Sequence, residues 1–172
     1  TELLDTTQAA QLSGQIFLQA TGADAALISY NIYQPEVLSN LENGYGANGQ
    51  ILPGKMSEED ITIFLPTGWY DTLQTATLTG NQIKQMAKDG CDLRDNGYPY
   101  PYVLMTKDGS ALEDENEYTV VICGIPKAMK ESRSLNLQDT GIVGLDAAKE
   151  YLTKVGELSS ATLDDYLVQI VE

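Results

Sequence analysis

The stretch DTLQTATLTGNQI, from Asp71 to Ile83, contains a predicted strand and the start of the helix that follows it. Its first half, Asp71 to Leu78, alternates loosely and is rich in threonine, which favours a β-strand. Thr79 and the residues after it open a helix that we expect to run to about Lys88, because its apolar residues recur at helical offsets. A strand therefore passes into a helix with almost no linker.

Toward the N-terminus the pattern is helix, tight turn and strand. From Asp5 to Ala20 the apolar residues follow one helical face, and Asp5 or Thr6 is a suitable cap. Gly22 ends this predicted helix. The short apolar run from Ala25 to Ile28 then predicts a buried strand.

Between these two regions, residues 39–55 are rich in Gly, Asn and Pro and predict a loop. Ser57 then caps a helix with three acidic residues in its first turn, which favour its N-terminus. We expect this helix to run to about Phe64 and to stop before Pro66.

The second half predicts a β-hairpin and further helices. We expect a turn-rich segment from Asp89 to Pro101, strands at 102–106 and 118–123 around a turn at 107–109, and helices at 126–131, 145–155 and 163–170, the last capped by Thr162. This irregular interleaving favours an α+β class, with one mixed sheet and flanking helices. A length of 172 residues fits a single domain, 1–172.

Charge and composition exclude several functions. The chain has 10 Lys+Arg, 25 Asp+Glu and no histidine, which gives a net charge of −15. Nucleic-acid binding depends on Lys and Arg, so this acidic composition predicts that the chain has no nucleic-acid partner. Without histidine it cannot by itself build a Ser-His-Asp triad or a histidine-ligated metal site. It predicts no membrane contact, because acidic surfaces repel it and no apolar stretch is long enough to span a bilayer.

Several local patterns admit both a chemical and a structural reading. Asp89, Asp92 and Asp95 could ligate calcium, but their spacing is not that of an EF-hand and a polar turn fits better. The acidic run of Glu113, Asp114, Glu115 and Glu117 could attract a cation, but such runs are more often solvated hairpin loops. Trp69 could stack on a flat ligand or plug the core.

Two further pairs of readings stay open. Cys91 and Cys123 could form a disulfide, but spacing in sequence says nothing about distance. Lys127, Lys130 and Arg133 stand at helical offsets and form either an anion patch or a solvated helix face.

Four pieces of the chain, in this order, resemble the C-terminal domain of the 5'-nucleotidase family, which includes UDP-sugar hydrolases and 2',3'-cyclic-nucleotide phosphodiesterases. They are GADAALI (22–28), GKMSEEDITIFLP (54–66), DTLQTATLTGNQI (71–83) and YTVV (118–121). No single piece is specific. Together they are spread along most of the chain, from residue 22 to residue 121.

The resemblance implies a division of labour. In this family an N-terminal metallophosphoesterase domain holds divalent metal ions and performs hydrolysis, whereas the C-terminal domain holds the nucleotide. This chain would then be non-catalytic by itself and would contain no cofactor. The metals and the histidines would belong to a catalytic domain that is not in this sequence. The family also implies an extracellular or cell-surface location, and a parent protein that is a nucleotide phosphohydrolase.

The resemblance also maps a candidate ligand site, in which most positions depart from the family pattern. Where the family has Asn and Arg after the first strand, this chain has Ser29 and Gln34, and a glutamine lacks the charged fork that holds a phosphate. Thr67 replaces a phenylalanine after Leu-Pro, so Trp69 or Tyr70 would supply the ring. The remaining candidate positions are Ile125, in place of a second ring, and Glu131, in place of an aspartate.

The sequence thus supports a substrate-recognition domain of a divergent nucleotidase-like hydrolase, which binds a nucleotide or another small ligand. The alternative is a non-catalytic interaction or ligand-binding module that kept the scaffold, including a domain that only packs on its catalytic partner. Fold alone does not separate them.

Overall fold

A computed structural model describes most of the chain, namely residues 2–29, 49–67, 70–92, 102–123, 135–163 and 168–170. The helices described are α1 (Thr6–Thr21), α2 (Glu58–Phe64), α3 (Gly80–Asp92) and α4 (Gly144–Val155), followed by a 3-10 turn at Ser160–Leu163. The strands are β1 (Ala25–Ser29), β2 (Thr72–Thr79), β3 (Tyr102–Thr106), β4 (Glu117–Cys123), β5 (Gln138–Val143) and β6 (Val168–Ile170).

The described strands form one sheet in the order β5-β2-β4-β1-β3-β6. The pair β1–β4 is parallel and every other neighbouring pair is antiparallel. The sheet is therefore mixed, with helices on its faces, and the α+β prediction is confirmed. β1 lies near the middle because its apolar run, AALIS, is suited to burial on both faces.

Helices cover both faces of the sheet. α1, α2 and α4 pack on one face, against residues such as Ile28 and Met105. α3 packs on the other face through Ile83 and Met86, against Leu27 and neighbouring strand residues. Alternate residues of β1 thus enter two separate apolar clusters, as the period of two along a strand requires.

The predicted starts of α1 and α2 are confirmed, and each rests on a local hydrogen-bonded cap. The Asp5 carboxylate accepts from the Gln8 N–H at 2.8 Å, and the Gln8 side chain accepts from the Asp5 N–H at 2.9 Å. Ser57 and Asp60 form the same reciprocal pair at α2. Gly22 ends α1 with φ of 68°, a left-handed conformation that suits glycine.

The predicted hairpin between β3 and β4 is wrong. Both strands exist, but β1 lies between them, antiparallel to β3 and parallel to β4. The acidic segment that joins them crosses to the start of α3, where the Gly80 N–H donates to the Asn116 carbonyl at 3.0 Å. Its carboxylates are exposed, as the solvated interpretation predicts.

Two other predictions need correction, and one strand was not predicted. The last helix, capped by Thr162, is not formed: Thr162 lies inside a 3-10 turn, and Val168–Ile170 pairs with β3 as a strand. The backbone at 89–92 continues α3 and is not a turn. Strand β5, which the sequence analysis did not identify, pairs with β2. In the first case the antiparallel edge of β3 gives Val168–Ile170 ladder hydrogen bonds that outweigh its helical periodicity.

Some predictions lie outside the described residues. These are the helix at 126–131, the loop at 39–48, the possible cation ligand Asp95, the basic patch of Lys127, Lys130 and Arg133, and the side chains of Cys91 and Cys123. In the part of the chain that is described, no helix is both long enough and apolar enough to cross a membrane.

Candidate functional site

One end of the sheet gathers the chain segments that carry the predicted site. Ser29, the last residue of β1, lies opposite Tyr102, the first residue of β3. Ile28 lies opposite Cys123, so the parallel strands β1 and β4 finish at the same level. We call this region the Ser29 end of the sheet.

The start of β2 and the end of β5 lie at the same end. Thr72 pairs with Val143, and Gln74 pairs with Ile122 near the end of β4. The Gly144 N–H, at the start of α4, donates to the Asp71 carbonyl at 3.0 Å. The segments that follow β1 and β4 and the segment that precedes β2 therefore all meet the sheet at the Ser29 end.

The predicted site residues fall on these segments. Ser29 ends β1, and Thr67 and Tyr70 precede β2. The other four, Gln34, Trp69, Ile125 and Glu131, lie outside the described residues, as does the Ser29 side chain. The topology thus brings together the strand ends Ser29, Cys123 and Thr72, from which these segments start, and side-chain detail is given for Thr67 and Tyr70.

Thr67 is half-buried against the first residue of α4. A Cβ placed on Gly144 would lie 2.8 Å from Thr67 Cγ2 and 3.0 Å from its Oγ1, which is closer than side chains normally approach. The Thr67 N–H donates to the Leu65 carbonyl at 2.8 Å, so the chain turns sharply after α2. Thr67 therefore fixes the segment before β2 onto α4.

Tyr70 presents its ring to solvent. It is 87% exposed, whereas tyrosines in folded proteins are usually at least half-buried. The packing of Thr67 and the backbone bond of Asp71 to Gly144 anchor the chain near Tyr70. An exposed ring next to an anchored segment is suited to stacking on a flat ligand.

A lysine of α4 supplies positive charge near this segment. Lys149 Nζ lies 2.7 Å from Glu58 Oε2 on α2 and 4.0 Å from Asp146 Oδ1. The hydrogen bond to Glu58 is the main cause that raises the pKa of Lys149 above its usual value, and Tyr70 is close enough to contribute a small electrostatic part. Lys149 is thus a cation held between the two helices.

The sequence analysis did not identify this ion pair. The amphipathic pattern of 145–155 could have placed Lys149 on the polar face of its helix, but nothing local shows that Glu58 lies opposite.

The described residues contain no group of three or more acidic, cysteine or histidine side chains that could hold a metal ion.

Comparisons with known proteins give matches among solved structures. No family model matches the chain, and no curated protein sequence does. The chain is similar to a 5'-nucleotidase precursor from Thermus thermophilus, with a TM-score of 0.61, 16% identity, 92% of this chain covered and 36% of that one. It is also similar to the NAD nucleotidase of Haemophilus influenzae, with a TM-score of 0.57, 16% identity, and 86% and 30% of the two chains covered.

At this identity the likeness establishes a shared fold. The chain spans about a third of the length of each of these two proteins.

Proposed function

We propose that this chain is a substrate-recognition domain that binds a nucleotide-like ligand at the Ser29 end of its sheet and does not catalyse hydrolysis by itself. The fold shared with two nucleotidase structures supports this proposal. The coverage also supports it, because the part that matches this chain makes up only 36% and 30% of those two proteins, as expected for one domain of a longer protein.

The observation that carries the proposal is the convergence of segments at the Ser29 end. The strand ends Ser29, Cys123 and Thr72 are far apart in sequence but lie together, because β1 and β4 are parallel and β2 is antiparallel to β4. Ligands of mixed α/β sheets commonly bind where loops from several strands gather. Tyr70 adds an exposed ring at that place.

The rest of the reaction would come from a second domain of a longer protein. That domain would be a metallophosphoesterase, it would hold the divalent metals, and it would perform the hydrolysis. The described residues of this chain supply no cluster that could replace it. An extracellular or cell-surface location belongs to the same proposal.

The ligand preference would differ from that of the family. Gln34 carries no charge to hold a phosphate, and the chain carries a net charge of −15, which disfavours anions. Thr67 packs on Gly144, so the ring that holds a base would come from Tyr70 or Trp69. We therefore expect the nucleoside part of a ligand to contribute more to binding than its phosphates.

The first experiment titrates the chain with adenosine and follows the fluorescence of Trp69, its only tryptophan. Tyr70→Ala should weaken binding about five-fold or more, because stacking on an aromatic ring is worth roughly 1–3 kcal/mol per base. Tyr70→Phe is the matched control and should keep the affinity, since it keeps the ring. Unchanged fluorescence and unchanged NMR spectra at millimolar adenosine would reject the proposal and favour an interaction module that kept the scaffold.

A second experiment restores the charge that the family pattern has. Gln34→Arg should strengthen binding of adenosine monophosphate several-fold and leave adenosine unaffected, because only the phosphate gains a bidentate partner. Asn81→Arg, an exposed position at the opposite end of the sheet, adds the same charge and should change neither ligand. Equal gains from both variants would show a general charge effect and contradict a phosphate contact at position 34.

The non-catalytic part of the proposal has its own test. The chain, mixed with magnesium or manganese, should release no phosphate from adenosine monophosphate. Metal-dependent release that survives repeated purification would overturn it.

A further inference from the structure

A second candidate site adjoins the Tyr70 segment through Lys149 but has its own set of lining residues. A groove of about 530 Å³ separates α2 from α4, and this volume falls within the usual range for small-ligand sites. Its apolar lining residues are Ile61 and Leu158, which are buried, and Met56 and Leu152, which are partly buried. Neither Thr67 nor Tyr70 lines it.

The charges of this groove oppose those of the whole protein. Lys55, Lys149 and Glu58 are its charged lining residues, so the groove carries a net positive charge on a chain of −15. A second groove, of about 480 Å³ between α1, β5 and α4, is lined instead by Asp146, Glu150 and Lys154. Of these two grooves, only the one between α2 and α4 would attract an anion.

Both lysines are available to a ligand. Among the described residues Lys55 has no ion-pair partner, and it is exposed. Lys149 is paired with Glu58, but their side chains are 38% and 44% exposed, and such surface pairs contribute little to stability. An incoming anion can therefore replace Glu58 as the partner of Lys149 at small cost.

We propose that the α2–α4 groove binds a phosphate monoester that carries a compact apolar group. At neutral pH such a phosphate has a charge of about −1.5 to −2 and matches two ammonium groups, whereas a carboxylate matches one. The apolar group would lie against Met56 and Leu152, which are only partly buried, and would remove their remaining apolar surface from water. The proposal does not require a ligand at the Ser29 end, because neither Thr67 nor Tyr70 lines the groove.

The test is a titration of the whole chain with phenyl phosphate, followed by amide NMR. We expect shifts at Ile61, Lys149 and Leu152, and none at Thr72 or Tyr102, which belong to the Ser29 end. Lys55→Gln and Lys149→Gln should each weaken binding about two- to five-fold, in keeping with one partly exposed charge pair. Glu58→Gln should strengthen it by a similar factor, because Lys149 loses its competing partner.

Lys154→Gln is the matched control. Lys154 lies on the same helix and is also paired with a glutamate, Glu150, at 2.6 Å, but it lines the other groove. Lys154→Gln should leave the affinity for phenyl phosphate unchanged. Thermal unfolding checks that each variant is folded, and Lys55→Glu replaces Lys55→Gln if that variant is not.

Three results would overturn the proposal. Affinity that is unchanged in both lysine variants would remove the role of charge. Phenol that binds as tightly as phenyl phosphate would leave only an apolar groove. Inorganic phosphate that binds as tightly as phenyl phosphate would remove the role of Met56 and Leu152.

Discussion

The ammonium group of Lys107 donates a hydrogen bond to the carboxylate of Asp24, and this ion pair fastens the end of β3 to the residue before β1. The same carboxylate accepts from the Thr119 N–H in β4 at 2.9 Å. Two backbone hydrogen bonds join the same residues: the Lys107 N–H donates to the Asp24 carbonyl, and the Asp24 N–H donates to the Thr119 carbonyl. Asp24 thus joins the three central strands at the end of the sheet opposite Ser29.

Asp24→Asn should destabilise the protein. The amide keeps an acceptor oxygen but loses the charge that strengthens both hydrogen bonds, so we expect a loss of about 1 kcal/mol, reduced because the side chain is about a third exposed. Urea unfolding measures it. Lys107→Gln is the control and should cost less, since it leaves the Thr119 contact in place. An equal or larger loss in that variant would assign the effect to Lys107 instead.

The contribution of Asp24 should also depend on pH. The hydrogen bond from Lys107, followed by that from Thr119, holds the pKa of Asp24 below its usual value. Because the folded pKa is the lower one, this stabilisation is fully present above the ordinary carboxyl pKa of about 4 and is lost as pH falls through the folded value.

Unfolding of the wild type and of Asp24→Asn should therefore be compared from pH 7 to pH 2.5. The gap between their free energies of unfolding should stay constant down to about pH 5 and close below pH 4. Other carboxylates titrate in both proteins and cancel in the difference. A gap that does not change with pH would contradict a charged role for Asp24.

Gly80→Ala should strongly destabilise the protein. A Cβ at this position would lie 2.2 Å from the Glu113 carbonyl oxygen, which belongs to the backbone of the acidic segment and cannot move aside like a side-chain tip. We expect a loss of about 1–3 kcal/mol, typical of overpacking, in chemical denaturation. Asn81→Ala, the next residue of the same helix, is exposed and should stay within about 0.5 kcal/mol of the wild type. Similar stability of the two variants would refute the close approach.

Thr67 and Gly144 should show energetic coupling. Gly144→Ala places a methyl group 2.8 Å from Thr67 Cγ2 and should cost about 1–2 kcal/mol. In a Thr67→Ala background that clash is absent, so the same change should cost much less. A double-mutant cycle measures the difference, which should exceed about 0.5 kcal/mol. Additive losses would mean that the segment before β2 does not rest on α4.

The sequence predicted the helix starts, which depend on neighbouring residues, better than it predicted which strands pair. The starts of α1 and α2 follow from Asp5 and Ser57, whose capping bonds reach only three residues. The strand pairing could not be read in this way, because β1 separates β3 from β4 through contacts between residues far apart in sequence. The helical spacing around Leu163 and Ile170 failed for the same reason, since the edge of β3 decides the conformation of Val168–Ile170.

The candidate site follows the same rule. The resemblance placed seven positions on three segments, and the sheet topology brings together the strand ends that adjoin those segments. Sequence alone did not show that Thr67 rests on Gly144, nor that Lys149 pairs with Glu58, because each contact joins residues from different helices or loops.

The position of β1 in the sheet also bears on how fast the protein folds. Its two neighbours, β3 and β4, come from residues 102–123, so the middle of the sheet requires loops of many tens of residues to close before it gains any strand contact. Proteins dominated by such distant pairings fold in milliseconds to seconds. On a ribosome, α1 and β1 would emerge well before either partner strand, and the edges of β1 would stay unpaired until residue 123 had left the exit tunnel.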